Sequence, residues 1–377
     1  MGVMSALLLV LLAACLVYCV LTVVAAQKYL AVRPPALRAP VPLSVLRPLS
    51  GLDEGLEENL RSFFQQDYPE FEILLAVHHT GDPSAMVAQK LIGEFAGGPP
   101  ARLIVTGEPP GPNAKAHSLE RLLREARHDL LVMSDSDVRA TPQMLARMAA
   151  EFQDPLVGLV TCPYRAVPGR SFWSRLEAMG MNTEFLGGVL VARMVEGMKF
   201  ALGPTIAARR EVLDRMGGFD HLKDFLAEDF VMGKRAAALG YGVLLSSYVI
   251  EHRIGGQPFR TNLKHRLRWA RSTRRSRPRG YWGQVFTHPL PFALLLWALE
   301  PRAWPLVILT GLSRAVAAWA VAGQVLADPL TRSRWWLVPI QDTVNFLIWV
   351  AGFFGNTIQW RGRKCYVLPD GRFKLVP

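Results

Sequence analysis

Apolar residues are unevenly distributed along the chain, and the first uninterrupted apolar stretch occupies residues 1–26. No charged side chain occurs in this stretch. At a rise of about 1.5 Å per residue, it exceeds the roughly 20 residues that cross a bilayer. No basic segment precedes the apolar residues, and the run is longer than the core of an ordinary signal peptide. The pattern therefore predicts a transmembrane anchor.

A second apolar region, residues 302–358, contains two long segments joined by the polar loop ADPLTRSR. The segments Trp304–Leu326 and Trp335–Ile358 are each long enough to be predicted as membrane spans. Arg314 lies within the first of them and is expected to face protein rather than lipid. Residues 285–301 are apolar but interrupted by prolines, and they are too short for a span. They predict a re-entrant or interfacial helix.

Between these ends, residues 43–284 alternate short apolar runs with segments of helical periodicity. The predicted strands are PLSVLRPL, FEILLAV, ARLIV and HDLLVMSDSD, and amphipathic helices separate them. The helix PSAMVAQKLIGEFA has Pro83 near its start and Asp82 in the cap position. Continuous apolar strands of this kind are typical of parallel sheets that are buried on both faces. Four alternations of strand and helix predict an α/β domain with a Rossmann-like, mostly parallel sheet. The proline-rich residues 27–42 form a semi-rigid linker between this domain and the anchor.

The second half of this domain has a less regular pattern. GLVTCPYRAV predicts a strand, and SFWSRLEAMGMNTEFLGGVL predicts a helical region that is broken at Gly187 and Gly188. Glu228 and Asp229 begin an apolar-faced helix that ends near Gly240. Acidic residues in a first helical turn interact favourably with the helix dipole. This acidic pair therefore has a structural interpretation as well as a chemical one.

The net charge of +12 is informative through its distribution along the chain. Lysine and arginine cluster beside the apolar stretches, in HRLRWARSTRRSRPRG and WRGRK, and not along a soluble helix with stacking aromatics. This distribution argues against nucleic acid and favours anionic lipid headgroups and a phosphate-bearing substrate. With three spans, it places residues 43–284 and a basic tail, residues 359–377, on the cytoplasmic side. The four cysteines show neither metal-binding spacing nor a disulfide framework.

Polar residues follow three of the predicted strands at their carboxyl ends, where parallel α/β sheets bind ligands. These residues are Asp82, Asn113, Lys115, Asp135 and Asp137. We therefore expect their side chains to converge on one rim of the sheet. Neither a G-x-G-x-x-G nor a G-x-x-x-x-G-K-[ST] segment occurs, so the sequence supports neither that dinucleotide site nor a P-loop.

The two carboxylates of LLVMSDSDV, Asp135 and Asp137, permit three interpretations. Acids two positions apart can coordinate Mg²⁺ or Mn²⁺ and, through the ion, a diphosphate. The same pattern matches the nucleophile strand of haloacid-dehalogenase phosphatases. In that class the strand lies near the start of the domain, and a downstream lysine is followed well beyond it by a second acidic pair. Here a large soluble segment precedes the motif, and Lys223 lies close to Glu228 and Asp229, so the sequence fits that class poorly. Aspartate also commonly caps turns without any further role.

Several motifs, taken in order, resemble those of one enzyme group. The matching segments are RPLSGLDEGLEENLRSFFQQDYPEFEILLAV, GDP at 81–83, NAK at 113–115, DSDV at 135–138, GPTIAARREVLDRMGGF at 203–219, LAEDFVMGK at 226–234 and HRLRW at 265–269. They resemble the ceramide glucosyltransferase group of inverting, membrane-bound glycosyltransferases. That group has a GT-A fold and includes bacterial relatives that act on hopanoid or sphingoid lipids. The resemblance covers roughly residues 44 to 275, together with the apolar segments on both flanks.

The resemblance implies a donor-binding set. Asp82 matches the acidic residue that contacts the uridine end of a UDP-sugar, and Lys115 lies in the Asn-x-Lys segment near the nucleotide. Asp135 and Asp137 match the pair that holds the metal, Mg²⁺ or Mn²⁺, and through it the diphosphate.

The resemblance also implies an acceptor-binding set. Asp229 matches the general base, which takes the proton from the acceptor hydroxyl. Arg268 and Trp269 match the end of a [QR]-x-x-R-W motif that closes over the diphosphate and the acceptor. His265 replaces Gln or Arg at the first position of that motif. An imidazole can hydrogen-bond a phosphate oxygen but lacks the arginine fork, and the adjacent Arg266 is a candidate substitute.

These matches imply an integral membrane hexosyltransferase of a bacterial inner membrane. It would move a sugar from a UDP-sugar to the hydroxyl of a ceramide- or hopanoid-type lipid at the cytoplasmic face. A processive polysaccharide synthase shares the motifs and is the alternative, although two C-terminal spans offer little material for a polymer channel. A membrane-anchored phosphatase is the less favoured alternative. The motifs select neither the sugar, the lipid, the metal ion nor the oligomeric state.

Overall fold

Strands and helices alternate from residue 43, as the apolar pattern predicts. The computed structural model describes residues 2–360 and 363–376, so Arg361 and Gly362 of the predicted basic tail lie outside the described residues, as do Met1 and Pro377. In chain order the strands are β1 (Leu43–Pro48), β2 (Phe71–Val77), β3 (Ala101–Val105), β4 (Leu130–Ser134), β5 (Val138–Arg139), β6 (Val157–Thr161), β7 (Tyr164–Pro168), β8 (Thr205–Arg209), β9 (Gly242–Leu245), β10 (Ile250–Gly255), β11 (Thr357–Trp360), β12 (Arg363–Val367) and β13 (Phe373–Leu375).

The helices connect these strands and form a separate group towards the C-terminus. In chain order they are α1 (Val3–Leu30), α2 (Leu56–Phe64), α3 (Pro83–Glu94), α4 (Ala114–Glu125), α5 (Met144–Glu151), α6 (Phe172–Gly180), α7 (Leu186–Glu196), α8 (Arg210–Arg215), α9 (Glu228–Ala238), α10 (Phe259–Ser276), α11 (Pro278–Gly283), α12 (Pro289–Leu299), α13 (Trp304–Ala318), α14 (Pro329–Arg334) and α15 (Val338–Gly352).

The central sheet has seven strands in the order β3-β2-β1-β4-β8-β6-β9. Strands β3, β2, β1 and β4 run parallel to one another, whereas β8 lies antiparallel between β4 and β6. The predicted mostly parallel α/β sheet is therefore confirmed. The segment GLVTCPYRAV does not form one strand as predicted, because it divides between β6 of this sheet and β7 of a second sheet.

Both faces of the central sheet are buried, which explains its continuous apolar strands. On β2, Ile73, Leu75 and Val77 join one apolar cluster, whereas Leu74 and Ala76 join the cluster on the other face. Successive side chains of a strand point to opposite faces, so every residue of β2 is covered by helices on one side or the other. The carboxyl edge of the strands remains as the place for a site.

A second sheet of three strands, in the order β5-β10-β7, lies beside this carboxyl edge. Strand β10 is antiparallel to β5, and His252 is paired in register with Val138. Because Val138 directly follows Asp137 in the chain, this pairing brings β10 to the loop that carries the two carboxylates.

Among the described residues, two helices are long and apolar enough to cross a membrane, namely Val3–Leu30 and Pro301–Val325. The second consists of α13 extended by short 3₁₀ and π-helical segments. Arg314 in α13 is 5% exposed. Its guanidinium donates to both carboxylate oxygens of Asp342 at 2.8 and 2.9 Å and to Thr183 Oγ1 at 3.1 Å. The prediction that Arg314 faces protein is therefore confirmed.

The structure differs from the predicted second C-terminal span, Trp335–Ile358. Helix α15 has 15 residues and directly follows the 3₁₀ turn Trp335–Leu337, and it is not among the described helices that are both long and apolar enough to cross a membrane. The helix ends before Gly355, which adopts a positive φ of 75°, and Ile358 already lies in β11. The apolar composition continues past the helix, but glycine in this conformation redirects the backbone. Helix α12, with 11 residues, is shorter than a span.

Gly187 and Gly188 do not break the helical region, contrary to the prediction. Helix α6 continues through a π-helical turn, Met181–Phe185, into α7. A Cβ atom at Gly187 would lie 3.2 Å from Thr22 Cγ2 of α1. The glycine therefore permits the close approach of two helices, and the backbone around it stays helical.

The predicted basic tail contains an antiparallel sheet, β11-β12-β13, which we call the C-terminal sheet. Its apolar side chains form a small cluster of their own. The cluster comprises Ile358, Cys365, Val367 and Phe373, together with Leu226 from the segment before α9.

Candidate active site

The loop after β4 carries Asp135 and Asp137 at the carboxyl edge of the sheet. The Asp135 N–H donates to the Pro204 carbonyl at 3.0 Å, and Arg47 Nη2 donates to the Asp135 carbonyl at 2.7 Å. Arg47 lies on β1, is fully buried, and has its guanidinium carbon 3.8 Å from the centre of the Phe63 ring. Burial lowers the pKa of Arg47 to about 9, against the opposing effect of nearby carboxylates. A buried cation thus fixes the loop from beneath.

Lys115, in the first turn of α4, contacts groups from three parts of the chain. Its Nζ lies 2.6 Å from Asp135 Oδ1 and 3.3 Å from Glu228 Oε1, and it donates to the Gly203 carbonyl at 3.3 Å. Burial alone would lower the pKa of Lys115, but Asp135 and Glu228 raise it above its ordinary value. Lys115 is therefore a stable cation that joins the predicted donor residues to the start of α9.

Asp137 contacts His252, a residue that the sequence analysis did not identify. His252 Nε2 lies 3.0 Å from Asp137 Oδ2. Burial would raise the pKa of Asp137, but His252, Lys115 and Arg47 together hold it below its ordinary value. A signal was present in the strand IEHRIG, where His252 alternates with the buried Ile250 and Ile254. A histidine at an inward-facing strand position requires a polar partner.

Asp229 lies in the first turn of α9. Its Oδ1 accepts a hydrogen bond from the Phe230 N–H at 2.8 Å, and a Cβ atom at Gly203 would lie 3.0 Å from Asp229 Oδ2. Burial, and after it the charge of Glu228, raises the pKa of Asp229 to about 7, although Lys115 opposes the shift. This carboxylate can therefore take up and release a proton near neutral pH.

Asp82 caps α3, as its position before Pro83 predicts. Its Oδ1 accepts from the Ser84 N–H at 2.9 Å and from Ser84 Oγ at 2.6 Å, and the Gly51 N–H donates to it at 3.0 Å. Burial would raise the pKa of Asp82, but these hydrogen bonds lower it. The cap is confirmed, and the contact of Asp82 with uridine stays a prediction.

Helix α10 carries His265, Arg268 and Trp269 as a second group. His265 Nδ1 lies 2.7 Å from Glu177 Oε1, and the His265 and Trp269 rings are 5.4 Å apart. The buried Glu177 also accepts a hydrogen bond from Asn262 at 2.6 Å. A carboxylate therefore fixes the orientation of the imidazole that replaces Gln or Arg in the motif.

Arg266 does not take the place of His265. Its side chain is 7% exposed, and Nη2 donates to Asn345 Oδ1 of α15 at 2.7 Å. Asn345 in turn donates to Glu184. Arg266 thus joins α10 to the helices behind it, and the candidate substitution is wrong.

The two carboxylates of the β4 loop fit part of a metal site. No group of three or more His, Cys, Asp or Glu side chains is arranged to hold a metal within residues 2–360 and 363–376. Mg²⁺, however, is commonly held by one or two carboxylates, with substrate phosphates and water as its other ligands. Asp137 Oδ1 is buried and has no hydrogen-bond partner in the described part of the chain. The residues therefore fit a metal whose remaining ligands come from a diphosphate and water.

Known proteins are similar to this chain in sequence and in fold. Over 208 residues, or 55% of this chain, it is 27% identical to ceramide glucosyltransferase 1 of Caenorhabditis elegans, and it spans 44% of that protein. It is 23% identical to the ceramide glucosyltransferase of Pyricularia oryzae, over 89% of this chain and 86% of that protein. This chain thus spans less than half the length of the first relative.

The mannosyltransferase PcManGT from Pyrobaculum calidifontis, solved with GDP-Man and Mn²⁺, has a similar structure. The TM-score is 0.57 at 21% sequence identity, covering 93% of this chain and 99% of that one. At this identity the likeness shows the shared GT-A-like α/β fold. The model of glycosyl transferase family 21 matches residues 6–373, which is nearly the whole chain. The chain therefore belongs to glycosyl transferase family 21.

Proposed function

We propose that this protein is an inverting glycosyltransferase that moves a sugar from a UDP-sugar to the hydroxyl group of a membrane lipid. The observation that carries the proposal is that Asp229 and Lys115 both lie against Gly203, while the Lys115 Nζ contacts Asp135 Oδ1 in the same partly buried cluster. Asp229 can accept a proton near neutral pH. Lys115 can pair with a diphosphate, and Asp135 can bind the diphosphate through a metal ion. Membership of family 21 and the ceramide glucosyltransferase relatives support the proposal. The same membership disfavours the phosphatase interpretation.

The donor would bind along the carboxyl edge of the parallel strands. Asp82 would contact the uridine end, and the Lys115 ammonium would lie near the diphosphate. Asp135 and Asp137 would hold Mg²⁺ or Mn²⁺, which neutralises charge on a departing diphosphate when it is bound. His252 would orient Asp137, since a ligand carboxylate is positioned by its own hydrogen bonds.

The transfer needs one displacement at the anomeric carbon of the sugar. Asp229 would take the proton of the acceptor hydroxyl while the hydroxyl oxygen forms its bond to that carbon. The bond from the carbon to the diphosphate oxygen breaks, and its electron pair leaves with UDP. Lys115 and Arg268 would stabilise the charge that develops on the leaving group. A single displacement inverts the configuration, so no covalent enzyme intermediate is required.

The two apolar helices would place this site at the membrane surface. In the proposed arrangement α1 crosses the bilayer, Pro301–Val325 enters it and α15 returns the chain, so residues 43–284 and the C-terminal sheet lie together on the cytoplasmic side. Helix α12, within residues 285–301, lies at the interface. Trp269 and His265 of α10 would then meet the acceptor. A ceramide- or hopanoid-type lipid of a bacterial inner membrane could present its hydroxyl while its tail stays in the bilayer.

The proposal is tested by incubating the full chain in lipid nanodiscs with Mg²⁺ or Mn²⁺, a panel of UDP-sugars, and ceramide, hopanoid polyol or diacylglycerol. We expect one glycolipid with a single added sugar by mass spectrometry, together with stoichiometric UDP release. Asp229→Asn serves as the inactive control. Absence of product and of UDP release with every pairing would contradict the proposal, and a growing carbohydrate polymer would favour the processive synthase.

A further inference from the structure

The C-terminal sheet is joined to the segment that precedes Asp229. The Phe373 N–H of β13 donates to the Asp224 carbonyl at 2.8 Å, and Arg372 pairs with Phe225 in an antiparallel bridge. Backbone hydrogen bonds therefore connect the last strand of the chain to residues 224 and 225, a few positions before α9 begins.

An apolar contact reinforces this backbone connection. Leu226 is 8% exposed and packs among the side chains of the C-terminal sheet, including Phe373, which is 1% exposed. This cluster is separate from the two clusters that cover the central sheet. Leu226 consequently obtains its burial from the C-terminal sheet and not from the main core.

The opposite side of the same segment is held by Asn113 of the donor rim. The Asn113 N–H donates to the Lys223 carbonyl at 3.0 Å. Its Nδ2 donates to the Phe225 carbonyl at 2.8 Å and lies 3.3 Å from Glu228 Oε2. Residues 223–228 are thus fixed between the N-cap of α4 and the C-terminal sheet, and Asp229 follows immediately.

The C-terminal sheet also contacts α10, the helix of Arg268 and Trp269. Lys264 Nζ donates to Gln359 Oε1 of β11 at 3.1 Å, and Arg271 Nη1 donates to the Thr357 carbonyl at 2.5 Å. Arg274 Nη2 donates to the Gly355 carbonyl at 2.8 Å. The basic pattern predicts that this arginine-rich stretch contacts lipid headgroups, but Arg271 donates to a carbonyl of β11 and Arg274 to a carbonyl of the turn before it.

We propose that the C-terminal sheet is a positioning element of the active site, which sets the position of Asp229 relative to α10. Phe373 is the key positioning residue and acts through Asp224 and Leu226. The proposed role of Asp229 as the base underlies this inference. A displacement of about 1 Å in a reacting group can lower turnover by roughly 100-fold. Lys115 lies on α4 and Asp135 follows β4, and shortening Phe373 leaves the hydrogen bonds from Asn113 to residues 223–228 in place, so donor binding should change much less than turnover.

The test compares Phe373→Ala and Phe373→Leu with the matched control Leu375→Ala. Leu375 lies on the same strand, is 48% exposed and is not part of the apolar cluster. We expect Phe373→Ala to lower kcat about tenfold or more while the KM for the UDP-sugar changes by less than about twofold. Hydrogen exchange should accelerate at the amides of residues 223–229 and stay unchanged at residues 130–139. Leu375→Ala should match the wild type in both measurements.

Phe373→Leu keeps most of the apolar volume and supplies the comparison if Phe373→Ala does not fold. It should show the same pattern with a smaller loss of kcat. An unchanged kcat in folded Phe373 variants, a parallel rise in donor KM, or an equal effect of Leu375→Ala would overturn the proposal. If the wild type transfers no sugar, the proposed function fails, and the hydrogen-exchange comparison alone then decides whether the sheet restrains residues 223–229.

Discussion

The parallel half of the central sheet and the later half of the domain surround their carboxylates with different neighbours. At Asp137, which follows the parallel strand β4, His252 of β10 together with Lys115 and Arg47 overcomes the effect of burial and lowers the pKa. In the later half, burial and Glu228 raise the pKa of Asp229 to about 7. One rim thus holds a carboxylate that stays charged and another that exchanges a proton. Two aspartates acquire different chemistry from their neighbours and not from their residue type.

Asp229→Asn is the substitution with the largest expected effect on this comparison. It removes the proton acceptor and preserves the shape of the side chain, so kcat should fall by about 1,000-fold or more. The dissociation constant for UDP-sugar should change by less than about twofold, because the amide alters none of the donor contacts. Initial rates and calorimetric titration check both values. The exposed Asp220→Asn is the control, and an Asp229→Asn variant that retained a tenth of the activity would remove Asp229 from the role of base.

Asp137→Ala and His252→Ala test the charged member of the pair. Loss of the Asp137 carboxylate should abolish the strengthening of UDP-sugar binding by Mn²⁺. Loss of His252 should weaken that binding about 10- to 100-fold, since the carboxylate loses its orienting partner. Titration with and without a chelator measures the effect. His128→Ala is the control, because His128 lies just before β4, at the end away from Asp137. Normal metal-dependent binding by Asp137→Ala would show that the metal role is wrong.

The pH dependence of turnover should report the raised pKa of Asp229. The deprotonated carboxylate is the active form, so kcat should rise with pH, about tenfold per unit below the pKa, and level off above about 7. Rates at saturating substrate between pH 5 and pH 9 measure this profile. A profile that is flat down to pH 5 would mean that the group that limits turnover has an ordinary carboxylate pKa.

Gly203→Ala should have a smaller effect, confined to the later half of the domain. Its new methyl group would lie 3.0 Å from Asp229 Oδ2, which is close enough to displace the carboxylate by a few tenths of an ångström. We expect kcat to fall about 3- to 10-fold with unchanged affinity for UDP-sugar. Steady-state kinetics of this variant beside Gly93→Ala, in α3 with open space around its Cβ position, provides the measurement. Equal loss in both variants would indicate a general effect on folding.

The smallest effect concerns stability. The pKa of Asp229 is higher in the folded state than the ordinary aspartate pKa of 3.8 that it has in the unfolded chain. Its contribution to stability is therefore present below the unfolded pKa and lost as the pH rises through about 7. Asp229→Asn avoids this loss, so its Tm should exceed that of the wild type by about 2–4 °C at pH 8. Thermal unfolding at several pH values checks that this difference shrinks towards pH 5.

The sequence predicted the parts of the fold that depend on local pattern. The apolar runs FEILLAV and ARLIV coincide with β2 and β3, and the Asp82 cap starts α3 as expected. These features need only neighbouring residues, because a cap or a buried strand is decided within a few positions. The convergence of Lys115 and Asp135 was also predictable, since both follow strands of a parallel sheet.

The parts that could not be predicted depend on contacts between distant residues. His252 meets Asp137 across 115 positions, through a strand pairing that periodicity does not reveal. The end of α15 and the formation of the C-terminal sheet depend on arginines of α10 that bind carbonyls more than 80 positions away. The basic composition predicts that those arginines face lipid headgroups, but their N–H groups donate to backbone carbonyls of the protein.

The antiparallel strand β8 has a consequence for the biosynthesis of the protein. Thr205 of β8 pairs with Ser134 of β4, which precedes it by 71 positions, and the two hydroxyl groups share a hydrogen bond. At about 5–20 residues per second, a ribosome needs roughly 4–15 s to make the intervening chain. During that time β4 has an unpaired apolar edge, and the Asp135 N–H lacks its Pro204 acceptor. A nascent chain that stalls before residue 205 would therefore expose an edge that readily pairs with other chains.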